Sequence, residues 1–289
     1  MCLQDSTTYG ECDELYRQPC YRFDGVIPHA ALLISLLQAV LPLQREVWMR
    51  FADCGLIVTA YAVQTSYIAE MRLKCAAWKY YRTTYNGTTG EPCQVKVCLQ
   101  TLCDLLQSSM LDVRDCVRLY MHGVSAQLHV VVEGMCAVLP IVRDQSFARS
   151  ARAQPPVLSY RISFKVQCVE LRRMLAQVRI VSNACYVNLR EYDGDWYLTL
   201  DSQRDPVSSR ALGESGRVTA HTIALALTNQ LQPYATQQVM LYLRVECIAA
   251  MLEKLHAYEY TTVYITTDGR MHLNWSASDI GGLHVVCPK

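Results

Sequence analysis

Lys165, Arg172 and Arg179 recur at seven-residue intervals, with Arg173 beside the second of them. In a helix, a spacing of seven returns to the same flank after two turns. Leu171, Met174, Leu175 and Val178 fill another flank, so residues 166–179 are predicted to form an amphipathic helix with a basic face. Only Glu170 opposes those charges. A row of weakly held cations suits a phosphate backbone, which presents a charge about every 1.7 Å of duplex axis and carries no sequence information. The plainer reading is that the arginines solvate an exposed helix face. A second amphipathic helix is predicted over 245–255, with Arg244 just before it and Lys254 near its end, against Glu246 and Glu253. Helices predicted over 28–41 and 98–107 add no cation, and Asp104 stands alone in the latter. Any basic surface built from these helices is weak.

Other chemistries find less support. The sequence contains no G-x-S-x-G, no H-E-x-x-H, no P-loop and no G-x-G-x-x-G after a strand. A nuclease needs converging carboxylates to hold Mg²⁺, and the nearest pair, Asp193 and Asp195, brackets Gly194 in a predicted hairpin turn. The 14 cysteines include no C-x-x-C; Cys93, Cys98 and Cys103 are spaced by five, so zinc would need ligands from elsewhere. Seven histidines show no ligand-like spacing, and His129, His272 and His284 read as exposed residues on strand faces. The 18 tyrosines are accounted for by strand formation. Asn86 and Asn274 begin glycosylation sequons that carry no meaning without export. No enzymatic activity, metal or cofactor is expected from this inventory.

Composition bounds the rest. Of 289 residues, 51% are hydrophobic and 18% charged, which excludes global disorder and permits a large core. A net charge of +1 excludes a polybasic coat, although not a local basic face. Residues 1–20 are acidic, lack the apolar run of a secretory signal and read as a loose tail. The cysteines are therefore expected to stay reduced. The apolar stretch 27–43 is shorter than the ~20 residues of a membrane span and contains Pro42, so it reads as a buried core helix.

These residues need elements to position them. Residues 143–157 carry Arg143, Arg149, Arg152 and the pair Pro155-Pro156 without periodicity, and read as a connector between halves at 21–142 and 158–289. Each half repeats one order: strand, helix, several strands, helix, three strands. The second half has turns at Asp193-Gly194 and Asp268-Gly269, while 205–231 is ambiguous. This predicts an α+β fold with helices on one side of antiparallel sheets.

The same order resembles the eukaryotic sliding DNA clamps. YRFDGVIPHAALLISLLQAV, PCQVKVCLQTLCDLLQSS and the closing YTTVYITTDGRMHLNWSASDIGGLHVVCPK are similar to that family at matching places. SDIGGLHVVCPK looks like the last strand of proliferating cell nuclear antigen. LHVVVEGMCAVLPI, and the segment 79–100 running into LCDLL, resemble the Rad-one subunit of the heterotrimeric checkpoint clamp, the nine-one-one complex. The resemblance implies two pseudo-repeated clamp domains, with sheets outside and two helices each inside. It further implies a nuclear ring that encircles duplex DNA with two related subunits and recruits clamp loader, repair and checkpoint proteins. On that expectation Lys165, Arg172, Arg173, Arg179, Arg244 and Lys254 face DNA. Arg143, Arg149, Arg152, Leu283 and Val285 flank client docking. Cys136, Val138, Ile141 and Val142 form one subunit edge, and Arg210, Leu212 and Val218 form the other. The first edge is interrupted by Pro140, and the second lies among Pro206, Gly213 and Gly216, so the two look poorly matched. A heteromeric ring is therefore expected over a homotrimeric processivity clamp. A scaffold that never encloses DNA is the reading from another class.

Overall fold

The computed structural model describes residues 21–28, 30–62, 66–84, 93–109, 116–122, 127–132, 134–141, 160–180, 182–192, 195–201, 222–227, 239–277 and 280–287. The first half runs β1 (Tyr21–Ile27), α1 (Ala30–Val40), β2 (Glu46–Ala52), β3 (Gly55–Ala62), β4 (Tyr67–Lys74), a 3₁₀ turn, β5 (Tyr80–Thr83), β6 (Cys93–Cys98), α2 (Leu99–Ser109), β7 (Val117–His122), β8 (Gln127–Val132) and β9 (Met135–Pro140). The second runs β10 (Tyr160–Gln167), α3 (Cys168–Arg179), β11 (Ala184–Tyr192), β12 (Asp195–Asp201), β13 (Thr222–Leu227), β14 (Val239–Arg244), α4 (Val245–Leu252), β15 (Tyr260–Thr266), β16 (Met271–Ala277) and β17 (Gly281–Val286).

Period-two patterning makes the strands. In β7, Val117, Leu119 and Met121 are buried while Arg118, Tyr120 and His122 turn outward. Period 3.6 makes the helices: α3 buries Cys168, Leu171, Met174, Leu175 and Val178 along one stripe. α1 packs against α2 and α4, and α4 against α3, so the four helices form a continuous layer. Among the described residues, no helix is long and apolar enough to cross a membrane.

Three antiparallel sheets carry this layer, and the fold is mixed α+β. Their strand orders are β5-β1-β7-β8-β9, β10-β15-β16-β17-β4-β3-β2-β6 and β13-β12-β11-β14. The eight-stranded sheet crosses from one half to the other where β17 pairs with β4, from Gly281↔Leu73 to Val286↔Ile68. Glycine is required on both sides of β4. Gly55 (φ 122°) and Gly281 (φ 145°) would bring a Cβ to 2.1 Å from the carbonyl oxygens of Leu73 and Arg72, respectively. Tyr67, fully buried on β4, accepts the backbone N–H of Arg244 at 2.9 Å, joining the halves a second time.

The structure moves several predicted boundaries. β10 continues to Gln167, and α3 begins at Cys168 rather than residue 166. α4 ends at Leu252, after which Glu253, Lys254 and Leu255 turn back to carbonyls of residues 249, 251 and 252. β5 lies in the stretch 78–92, which reads as loose around the turn signal Asn86-Gly87. Tyr81 and Thr83 anchor it by donating to the carbonyls of Ala52 and Phe51, and Tyr81 packs beside Trp78 and Phe23. β11 and β12 meet at Tyr192↔Asp195, which leaves two residues for the connection, but Asp193 itself lies outside the described residues.

Candidate functional site

The cations predicted to face DNA divide by environment. Lys165 is a correction: it sits on β10, exposed and opposite Thr262, not on the flank of a helix. Arg172 and Arg173 project from α3. Arg173 is held by Glu170, with Nη2 2.7 Å from Oε2. Arg172 is half-buried, with Nη1 3.4 Å from His256 Nδ1. Arg179 is exposed in the last turn of α3, where the helix dipole favours a cation. Arg244 and Lys254 are exposed before and after α4, Lys254 in the turn rather than in the helix. Among the described residues, neither these two nor Arg179 nor Lys165 has an ion-pair partner. Within the four helices, Asp104, Glu170 and Glu246 match Arg172, Arg173 and Arg179 in number, so the helices themselves are neutral. A cleft of about 1040 Å³ opens between α1, α2 and α4, lined in part by Gln38, Arg45, Gln100, Glu253 and Lys254.

Six strands end the three sheets with one neighbour each among the described residues, and two of them bear on the predicted edges: β9 beside β8, and β13 beside β12. On β9, Met135 and Val138 are 57% and 45% exposed, Cys136 is exposed, and Leu139 is buried. Ile141 follows, half-buried. Val142, Arg210, Leu212 and Val218 lie outside the described residues, as do Arg143, Arg149 and Arg152. The second edge is expected within 207–223; the strand β13 begins at Thr222 and overlaps that range only at its start. Leu283 and Val285, expected to flank client docking, are both buried. They are 1% and 0% exposed and face the core, and the outward positions of β17 are Gly282, His284 and Val286.

Of the histidines read as exposed on strand faces, His129 and His284 are half-buried at outward positions, each within a histidine group. His272 is buried, with Nδ1 3.0 Å from His284 Nε2. Burial, and then His284, push its pKa down to about 4. The other group lies on the five-stranded sheet. Tyr120 and His129 are direct cross-strand partners, stacked at 4.6 Å and 8°, with His122 edge-on to both. Cys136 on β9 completes it, its Sγ 4.0 Å from His129 Nδ1 and 3.8 Å from Tyr120 Oη. Alternation puts these side chains on one face, but the register that joins them is not readable from one strand.

The cysteines at spacings of five separate: Cys93 and Cys103 are buried, while Cys98 is exposed just before α2. The Thr101 hydroxyl donates to Cys98 Sγ at 3.2 Å, and this with backbone donors of the first turn lowers its pKa. Among the described residues, no group of three His, Cys, Asp or Glu could hold a metal ion. The chain matches no family model and no curated protein sequence.

Proposed function

We propose that this chain is one subunit of a ring-shaped, heterotrimeric sliding clamp of the checkpoint type, which encircles DNA without reading sequence and recruits other proteins to it. The proposal includes two repeated modules. Strand order supports them: β10-β15-β16-β17 repeats β1-β7-β8-β9, and β13-β12-β11-β14 repeats β4-β3-β2-β6. One observation carries the reading. Inside the chain, the end of one run, β17, pairs with the end of another, β4. Their counterparts, β9 and β13, each end a sheet with one neighbour among the described residues, as β5, β6, β10 and β14 also do. A β13–β9 seam between neighbouring chains would repeat the β4–β17 seam within one, and would cover edges that otherwise invite aggregation. By resemblance to the clamps, six modules, hence three chains, close the ring around a duplex.

The heteromeric part rests on charge. Three copies of a helical layer with no net charge offer little to a polyanion beyond Arg179, Arg244 and Lys254, so partners must supply cations. The mismatch of edges expected from Gly213 and Gly216 does not carry over, because β13 is the regular, apolar TIALAL. Nuclear location and repair or checkpoint clients follow from the resemblance. The test is retention on DNA of the ring reconstituted with two clamp subunits. Retention on closed circles, with release on linearisation, is expected, and Arg172→Ala/Arg173→Ala/Arg179→Ala should lower the salt dependence of loading. Equal loss from circular and linear DNA would favour a scaffold that never encloses DNA.

A further inference from the structure

We infer that Cys136 is a site of thiol–disulfide exchange on the open edge of the five-stranded sheet, with His129 as its base and a small-molecule disulfide such as oxidised glutathione as its co-reactant. Asp24, 1% exposed, accepts Nε and Nη2 of Arg118 at 2.9 and 3.0 Å. That guanidinium lies 5.0 Å from the centre of the Tyr120 ring. Tyr120 in turn stacks on His129 at 4.6 Å. The imidazole is thus fixed from β1 through β7, with His122 against its edge and Nδ1 toward Cys136. Burial, and then His122, hold its pKa below the ordinary value, so it is neutral near pH 7 and in the Nε2–H form accepts a proton at Nδ1.

The exchange follows from these positions. Nδ1 takes the Sγ proton, and the thiolate attacks one sulfur of the disulfide. The S–S bond breaks as the new S–S bond to Cys136 forms, and the departing thiolate recovers the proton from the imidazolium. Tyr120 Oη, 3.8 Å from Sγ, can donate to the thiolate. One thiol is consumed and one released, with no net electron transfer. Three other thiols are exposed among the described residues: Cys116 Sγ lies 3.8 Å from the Pro28 carbonyl oxygen, Cys54 sits in the turn between β2 and β3, and Cys98 accepts from Thr101 just before α2. An adduct on Cys136 would stand on the outward face of β9, beside Val138. Its consequence, a chain unable to receive its neighbour's edge strand, rests on the ring reading above.

The experiment treats the full chain with oxidised glutathione and follows adduct formation at each cysteine by peptide mass mapping. Cys136 should react about tenfold faster than Cys54 and Cys116, and its rate should fall as the imidazole is protonated, at a pH below the ordinary histidine range. His129→Asn should bring Cys136 down to those references without changing them. Equal rates at the three thiols in the unsubstituted chain overturn the proposal, as does a Cys136 rate unmoved by His129→Asn. These rates need no partner, so they stand apart from the ring reading. If the unmodified chain joins clamp subunits and the purified Cys136 adduct joins them equally well, the regulatory consequence is overturned.

Discussion

β17 and β9 occupy the same place in the chain's two helix-plus-three-strand runs and end in opposite circumstances. β17 has a neighbour on each side, and Leu283 and Val285 are buried to 1% and 0%. β9 has β8 alone among the described residues, and leaves Met135 and Val138 largely exposed. By sequence β9 is the more apolar strand, MCAVLP against GGLHVV, so composition does not explain the difference. What differs is the neighbour. Covering an apolar side chain of this size contributes roughly 1.5–3 kcal/mol, so β9 has stabilisation still to gain and β17 has already taken it.

Breaking the filled seam should have the largest effect. Gly281→Ala forces a Cβ to 2.1 Å from the Arg72 carbonyl oxygen at a φ of 145°. A loss of about 3 kcal/mol or more is expected in urea unfolding. Gly134→Ala, beside the open edge at φ 80° with nothing within 4 Å, should cost only about 1 kcal/mol. Arg118→Ala comes next: it strands the buried Asp24 carboxylate and should cost ~3 kcal/mol, with Asp24→Asn in the same chain recovering much of it.

A smaller, pH-dependent difference belongs to the seam side. His272 is held at about 4 when folded against 6.5 for the free group, so between those values the unfolded chain binds the extra proton. Stability should be full above about pH 6.5 and decline as pH falls toward 4, and His272→Phe should flatten that decline in thermal melts. The smallest effect is expected at the open edge. Val138→Lys should change unfolding of the isolated chain by less than about 0.5 kcal/mol while abolishing capture by a partner edge. Substantial destabilisation of the isolated chain would mean that β9 is already covered.

The helices and most strands were legible because their buried residues follow a clean period. The start of α3 was not, since Val166 fits both the inward series Phe164–Val166 of β10 and the first turn of a helix. Leu255 misled in the same way: it is fully buried by a turn, outside α4. β5 was hidden because its order comes from pairing with β1 and from side-chain bonds to β2, 29 and 32 residues away in sequence. Of the candidate site, the cations on α3 were legible from spacing. The His256 beside Arg172 is 84 residues distant and was not, nor was the pairing of His129 with Cys136, which depends on register between strands. The edge β13 was obscured by the glycines before it, although TIALAL reads as a strand by itself.

The mass of the purified chain in solution, measured alone and after co-expression with two related clamp subunits, tests the open seam most directly. The account predicts one chain of 32.7 kDa alone and a three-chain complex containing a single copy with its partners. A stable particle of about three times 32.7 kDa from this chain alone would contradict it and make the ring a homotrimer.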